Sequence, residues 1–338
     1  MVDESAERNK ISCTHFFKLS ILLYQTKLFN KVIMDKISFE KWTHPDAEKL
    51  SNFEFSKGHS VNVFEIKSIH ALNQFVGFAK YKCMQEGAIS VYFRGQSELY
   101  KTLLPSIFRP TIGKKDKVAL SKPPKQSIIE RYNNVKKYIA DCISKMHCLK
   151  NVDDRVVEPL LQHYGIKTSW LDIVDNLWVA LWFAIHESDF VYTDFTEYEH
   201  IMLKKNIKKV YLLLIRSDAD TPLTKGFLEG KQNQLVDLRE SVPSIFLRPH
   251  AQHAMLIRNK KHQNQNDVDL ADNVCAILSL NFSDVKNWLG EGKLLSAENI
   301  YPPAMYDEGY RFLLHEAPKI DKGSMRTYGF ISSISYSM

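Results

Sequence analysis

Residues 162–186 read QHYGIKTSWLDIVDNLWVALWFAIH, a crowded polar turn that runs straight into a segment with no polar face. Residues 177–186 are apolar all round, which predicts a buried helix. Just before it, His163, Tyr164, Thr168, Ser169 and Asp172 gather around Gly165. So many hydrogen-bonding groups beside a core element are costly unless they pair with one another or with a ligand. The block is therefore a candidate site. Asp172 is expected to be structural, its carboxylate accepting backbone N–H groups at the start of the apolar helix.

Outward from this block, periodicity sketches the rest. In residues 67–86, Ile69, Leu72, Phe75, Val76 and Ala79 recur at helical spacing, and Gly87 stops the helix. Residues 88–93 (AISVYF) are β-branched and aromatic, the composition of a buried strand. Residues 127–148 predict a helix with Ile128, Ile129, Tyr132, Val135 and Ile139 on one face, and residues 153–163 another. Residues 209–215 (KVYLLLI) read as a central strand after a charged connector, 274–282 as a further strand, and 284–289 as a helix start. Strands interspersed with helices in this way give an α+β class, a mixed central sheet with surrounding helices. Residues 111–126 (TIGKKDKVALSKPPKQ) form a basic, proline-containing loop, read as a solvated flap or as a cover over a site.

Composition excludes more than it identifies. The chain of 338 residues is 44% apolar and 25% charged, ordinary for a globular protein and unlike a disordered one. Its net charge of +6 permits an anionic ligand without demanding nucleic acid. Five cysteines form no CxxC pair, which favours a reducing, cytoplasmic setting over a disulfide framework. Cys142, His147 and Cys148 fit no common zinc spacing. The apolar stretch FFKLSILLYQTKLF near the N-terminus is broken by Lys18 and Lys27, so no membrane span is expected. It reads as an amphipathic helix docked on the body, within a peripheral helical extension covering residues 1–60; a natural start at Met34 is the alternative. Residues 61–320 form the main domain and 321–338 a tail.

Two more segments complete the candidate site. Tyr92-Phe93-Arg94-Gly95-Gln96 puts a guanidinium at the end of a buried strand, where glycine lets a ligand or another segment approach the backbone. Arginine suits bidentate phosphate recognition; a buried ion pair with Asp172 is the competing reading. In Arg248-Pro249-His250-Ala251-Gln252-His253-Ala254, Gln252 and the histidines either face a pocket or sit in a solvated turn, and spacing alone favours the turn.

In this order the segments resemble the FRG domain family over about residues 67–314. The resemblance rests on Phe93-Arg94-Gly95-Gln96, on Pro105, Ser106 and Arg109 after Leu103-Leu104, and on Gln162-His163-Tyr164-Gly165 with Thr168 running into Leu171-Asp172. It continues through the apolar helix to Arg248, Gln252 and Tyr301-Pro302. Ser169-Trp170 stands where the family usually has Arg-Leu, and Ala254 and Leu256 replace a later Gly and Phe.

The resemblance implies a split-sheet arrangement like that of ADP-ribosyltransferases, with NAD as substrate. Arg94, with Gly95 and Gln96 beside it, would clamp the pyrophosphate, and Thr168 or Ser169 would orient the nicotinamide ribose. His163 and Tyr164 would frame the ring. Gln252 would stand where transferases usually carry a glutamate, and a neutral amide stabilises a developing cation less well. A nucleotide or other anionic small molecule is the expected partner, with a protein or nucleic acid as acceptor, in a bacterial or phage toxin or defence system. The alternative is a non-catalytic module binding a nucleotide or a partner. No glycine-rich dinucleotide fingerprint and no clustered carboxylates point to a Rossmann fold or a two-metal nuclease.

Overall fold

A computed structural model describes residues 37–109, 128–192, 196–261, 267–290, 293 and 295–336. The expected N-terminal amphipathic helix and the basic flap lie outside these residues.

The class is α+β. Eleven strands form a mixed sheet, running β1 (Ala47–Lys49), β3 (Ser60–Ile66), β13 (Val274–Asn281), β8 (Lys209–Ser217), β4 (Ser90–Gln96), β5 (Leu171–Val174), β12 (Ala254–Asn259), β11 (Asn233–Asp237), β10 (Phe227–Glu229) and β9 (Thr221–Thr224). β2 (Phe53–Glu54) pairs with β3 off this path. The β3–β13 pair is parallel and the others are antiparallel. A second sheet orders β14 (Ser333–Tyr336), β7 (Glu197–Leu203) and β6 (His186–Tyr192).

Period-two alternation feeds a core on each face of the large sheet. Along β8, Leu212 and Leu214 pack on the face covered by helices α1 (Ile69–Gln85) and α4 (Leu177–Ile185). Leu213 and Ile215 join Tyr92, Ile173 and Ile257 on the other. A third cluster lies under α2 (Ile128–Lys145) and α3 (Asp154–His163), centred on Leu160, Trp170 and Phe246. α4 has Val179, Ala180, Leu181, Trp182, Ala184 and Ile185 buried, as its uniformly apolar sequence requires.

Three sequence expectations are corrected. Residues 37–60 are neither helical nor peripheral: they carry β1 and β2, and Trp42 is buried edge-on against Phe64 and Phe75. Aromatic residues without helical spacing pack here as loop anchors. The segment expected as a tail, 321–338, is packed structure over its described residues 321–336. Lys322–Tyr328 is a helix, Gly329 at φ 75° makes the turn that bridges Ile166, and β14 pairs in parallel with β7. The connector after α4 is a hairpin of β6 and β7.

One feature of the ladder positions the site. β4 and β5 share a single paired position, Phe93 opposite Val174. Beyond it β4 stays on β8 through Arg94, Gly95 and Gln96, while β5 stays on β12.

Candidate functional site

Where the two strands part, a cavity of roughly 680 Å³ opens, a volume suited to a small organic ligand. β4 contributes Arg94, Gly95 and Gln96; the end of α3 contributes His163; β5 contributes Asp172; the hairpin contributes Glu199. Gly95 is required by packing. A Cβ there would lie 1.8 Å from the carbonyl oxygen of Ala180, so only glycine lets α4 pass so close.

Arg94 does not pair with the Asp172 carboxylate. Its Nη1 donates to the Asp172 backbone carbonyl at 2.6 Å, and its Nε is buried without a hydrogen-bond partner. Burial holds this guanidinium down to about 10; neighbouring Arg109 adds to the shift and Asp172 opposes it. Burial likewise lowers Arg109, which donates from Nε to the Leu104 carbonyl at 2.9 Å. Lys167 is brought down to about 8 by burial with Arg131 and Arg109 nearby. Burial also brings Lys204 to about 8, although Glu187 opposes the shift, and its Nζ donates to the Ala184 carbonyl at 3.1 Å. Among the described residues, four cations thus meet two carboxylates at the cavity wall. Of the two, Glu199 is already engaged: it accepts from Ser188 Oγ at 2.5 Å and lies 3.7 Å from Arg248 Nη1.

His163 stands at the centre of the polar wall. Its Nδ1 is 2.8 Å from Gln252 Oε1, and its Nε2 is 3.5 Å from Asp172 Oδ1. Gln252 donates from Nε2 to the Ile300 carbonyl at 3.0 Å, so both ends of its amide are engaged by protein, and the residue is 3% exposed. The His163 carbonyl accepts from Arg248 Nη1 at 2.6 Å. Burial pushes His163 below the usual imidazole range, against the opposing effects of Asp172 and Gln252.

Arg94, Gly95, Gln96, His163 and Gln252 therefore border one cavity, and Tyr164, Thr168 and Ser169 do not. The Tyr164 hydroxyl donates to Asp307 at 2.8 Å, with its ring stacked on Tyr310. The Thr168 hydroxyl donates to Gln162 Oε1, and Ser169 donates from N and Oγ to Glu158 Oε1 at 2.8 and 2.7 Å. These hydroxyls close contacts within the fold and lie outside the cavity wall. Asp172 is not the helix cap. Asn176, immediately before α4, accepts from the backbone N–H groups of Trp178 and Val179, while the Asp172 side chain is 47% exposed at the cavity. His253 sits in a turn at φ 50° beside Asp175 and Arg239. Sequence reasoning assigned no role to Arg109, Lys167, Glu199, Lys204 or Tyr301. Arg109, Lys167 and Tyr301 lie in or beside the quoted motifs; nothing in the sequence marks Glu199 or Lys204.

Among the described residues, no helix is long and apolar enough to cross a membrane. Residues 89–190 match the family model of the FRG domain, a span running from the start of β4 into β6 that includes Arg94, His163 and Asp172. No curated protein and no solved structure matches the chain.

Proposed function

With residues 89–190 forming an FRG domain, we propose that the cavity binds an anionic ligand of nucleotide size, that this ligand is NAD, and that the domain cleaves its nicotinamide–ribose bond. The supporting observation is the charge arrangement: among the described residues, Arg94, Arg109, Lys167 and Lys204 border a cavity in which Asp172 is the exposed carboxylate. Arginines suit a pyrophosphate, which takes charge-assisted and bidentate bonds. Phe183, Phe190 and Tyr301 supply apolar wall for rings.

The chemistry follows from the same geometry. As the C–N bond breaks, its electron pair leaves with neutral nicotinamide and positive charge develops on the ribose. Asp172 provides the opposing negative charge, the role that the sequence reading gave to the position of Gln252. The attacking water or acceptor hydroxyl bonds to the ribose carbon as nicotinamide leaves and releases its proton to solvent, a step that needs no side-chain base because the developing cation makes the ribose carbon strongly electrophilic. NAD consumption of this kind fits the toxin or defence role that the family resemblance implies.

Incubation of the pure protein with NAD, followed by chromatography for free nicotinamide, tests the reading. Release should disappear in Asp172→Asn while ADP-ribose binding, measured by calorimetry, persists. A second reading, binding without turnover, draws on the engaged Gln252 amide and on the withdrawal of Thr168 and Ser169 from the cavity. It predicts calorimetric heat from NAD with no nicotinamide released. Absence of both heat and nicotinamide would end both readings.

A further inference from the structure

The hydrogen-bond chain through Gln252 fixes more than the position of His163. A backbone carbonyl only accepts, so the Ile300 oxygen requires the NH₂ end of the Gln252 amide. The opposite end, Oε1, therefore faces His163 Nδ1 at 2.8 Å. An amide oxygen also only accepts, so Nδ1 must carry the proton. The neutral ring then has its lone pair on Nε2, the buried nitrogen that has no partner and lies 3.5 Å from Asp172 Oδ1. Two acceptors face each other there, at a separation longer than an ordinary N–H···O bond.

We infer that Gln252 is a positioning residue that holds His163 as the Nδ1–H tautomer, and that His163 Nε2 with Asp172 Oδ1 forms a paired acceptor for a vicinal diol of the ligand, a ribose. One hydroxyl donates to Nε2 and its neighbour to Oδ1. The inference rests on the anionic-ligand reading and adds its sugar: the arginines hold phosphate, and the His163–Asp172 pair distinguishes ribose from deoxyribose. A phosphate group, which lacks donors when ionised, is repelled from this pair and directed to the arginines. Other arrangements fit less well. An imidazolium would pair directly with Asp172, but burial disfavours its charge, and the 3.5 Å separation is not that of a formed bond.

Long-range proton–nitrogen correlation spectra of histidine-labelled protein read the tautomer without any ligand. At pH 7.5 His163 should show a protonated Nδ1 and a lone-pair Nε2. Gln252→Leu removes the acceptor at nearly constant volume, so the ring should switch to Nε2–H and donate to Asp172. The wild-type spectrum decides the assignment even if that variant does not fold. For the ligand, ribose 5-phosphate and 2-deoxyribose 5-phosphate are compared by calorimetry, and the deoxy sugar should bind about tenfold more weakly or worse, the size of a lost hydrogen bond to a charged group. An Nε2–H ring or an imidazolium in the wild type overturns the inference. So does equal binding of the two sugar phosphates, or binding of neither. If NAD fails to bind while the two sugar phosphates are distinguished, the NAD reading falls and the paired acceptor stands.

Discussion

Arg94 donates to the carbonyl of Asp172 at 2.6 Å, across the gap where β4 and β5 separate after one paired position. In a continuous ladder a backbone N–H would fill that carbonyl; here a side chain does, and the same guanidinium borders the cavity. Arg94→Lys keeps a charge but loses the planar fork. It should therefore lower stability by roughly 1–3 kcal/mol, the range for a hydrogen bond from a charged donor, and weaken NAD binding together with it. Urea unfolding and calorimetry on this one variant check both effects. Loss of affinity at unchanged stability would mean that the bridge to Asp172 does not hold the strands.

The cap of α4 separates Asp172 from Asn176. Asn176→Ala removes the acceptor for two backbone N–H groups and should cost about 1 kcal/mol. Asp172→Ala, with its side chain nearly half exposed, should change stability by less than about 0.5 kcal/mol, as for an ordinary surface substitution, and should affect only binding or turnover. Equal destabilisation by the two would return Asp172 to the structural role that its sequence position suggested.

That correction shows what was legible in the sequence. α1, α2, α3, α4, β4, β8 and β13 were readable because each is an apolar or strongly periodic run whose burial is a local property. β6, β7, β9, β10 and β11 were not: segments such as HESDFVY and EYEHIML look like solvated connectors, and they become strands only through partners supplied by the fold. The site divides in the same way. Arg94 and His163 stood out because they abut core elements. Thr168 and Ser169 looked like ligand groups because their acceptors, Gln162 and Glu158, meet them only once the helix end and the following turn fold together. Glu199 and Lys204 reach the cavity only because the hairpin folds back, and Asn176 was passed over because an aspartate four residues earlier also suits a helix start.

Lys167 and Lys204, both near 8 through burial, give pH effects of opposite sign. Between about pH 8 and 10 both lysines lose their protons in the folded protein while unfolded lysines keep theirs. The unfolded chain then binds more protons, so the ligand-free protein should gain stability from these groups as pH rises through this window. NAD binding should move the other way, because deprotonation removes positive charge from the cavity. If the ligand raises either pKa by one unit, affinity falls about tenfold across that window. Calorimetric titrations and urea melts at matched pH values read the two slopes. Affinity that stays level to pH 10 would mean that neither lysine touches the ligand.

Arg248 supports the site from behind. It is 1% exposed, with its guanidinium 4.6 Å from the Tyr310 ring, 4.7 Å from Tyr164 and 5.2 Å from Tyr301. Its Nη1 bonds the His163 carbonyl and lies 3.7 Å from Glu199. Aromatic faces attract such a cation, and the buried Glu199 side chain, 8% exposed, depends on it for charge balance. Arg248→Met keeps the stem volume, removes the cation and leaves Glu199 uncompensated. It should cost about 3–5 kcal/mol, the range for breaking a buried pair from one side. The double variant with Glu199→Gln should recover part of that loss, since no buried charge is then left alone. Urea unfolding of the single and double variants measures the coupling. If the double variant is no more stable than Arg248→Met, the ring contacts and the bond to His163, not the ion pair, account for the arginine's contribution. In both variants His163 loses the hydrogen bond that holds its backbone, and a changed His163 ring spectrum in each would record the displacement.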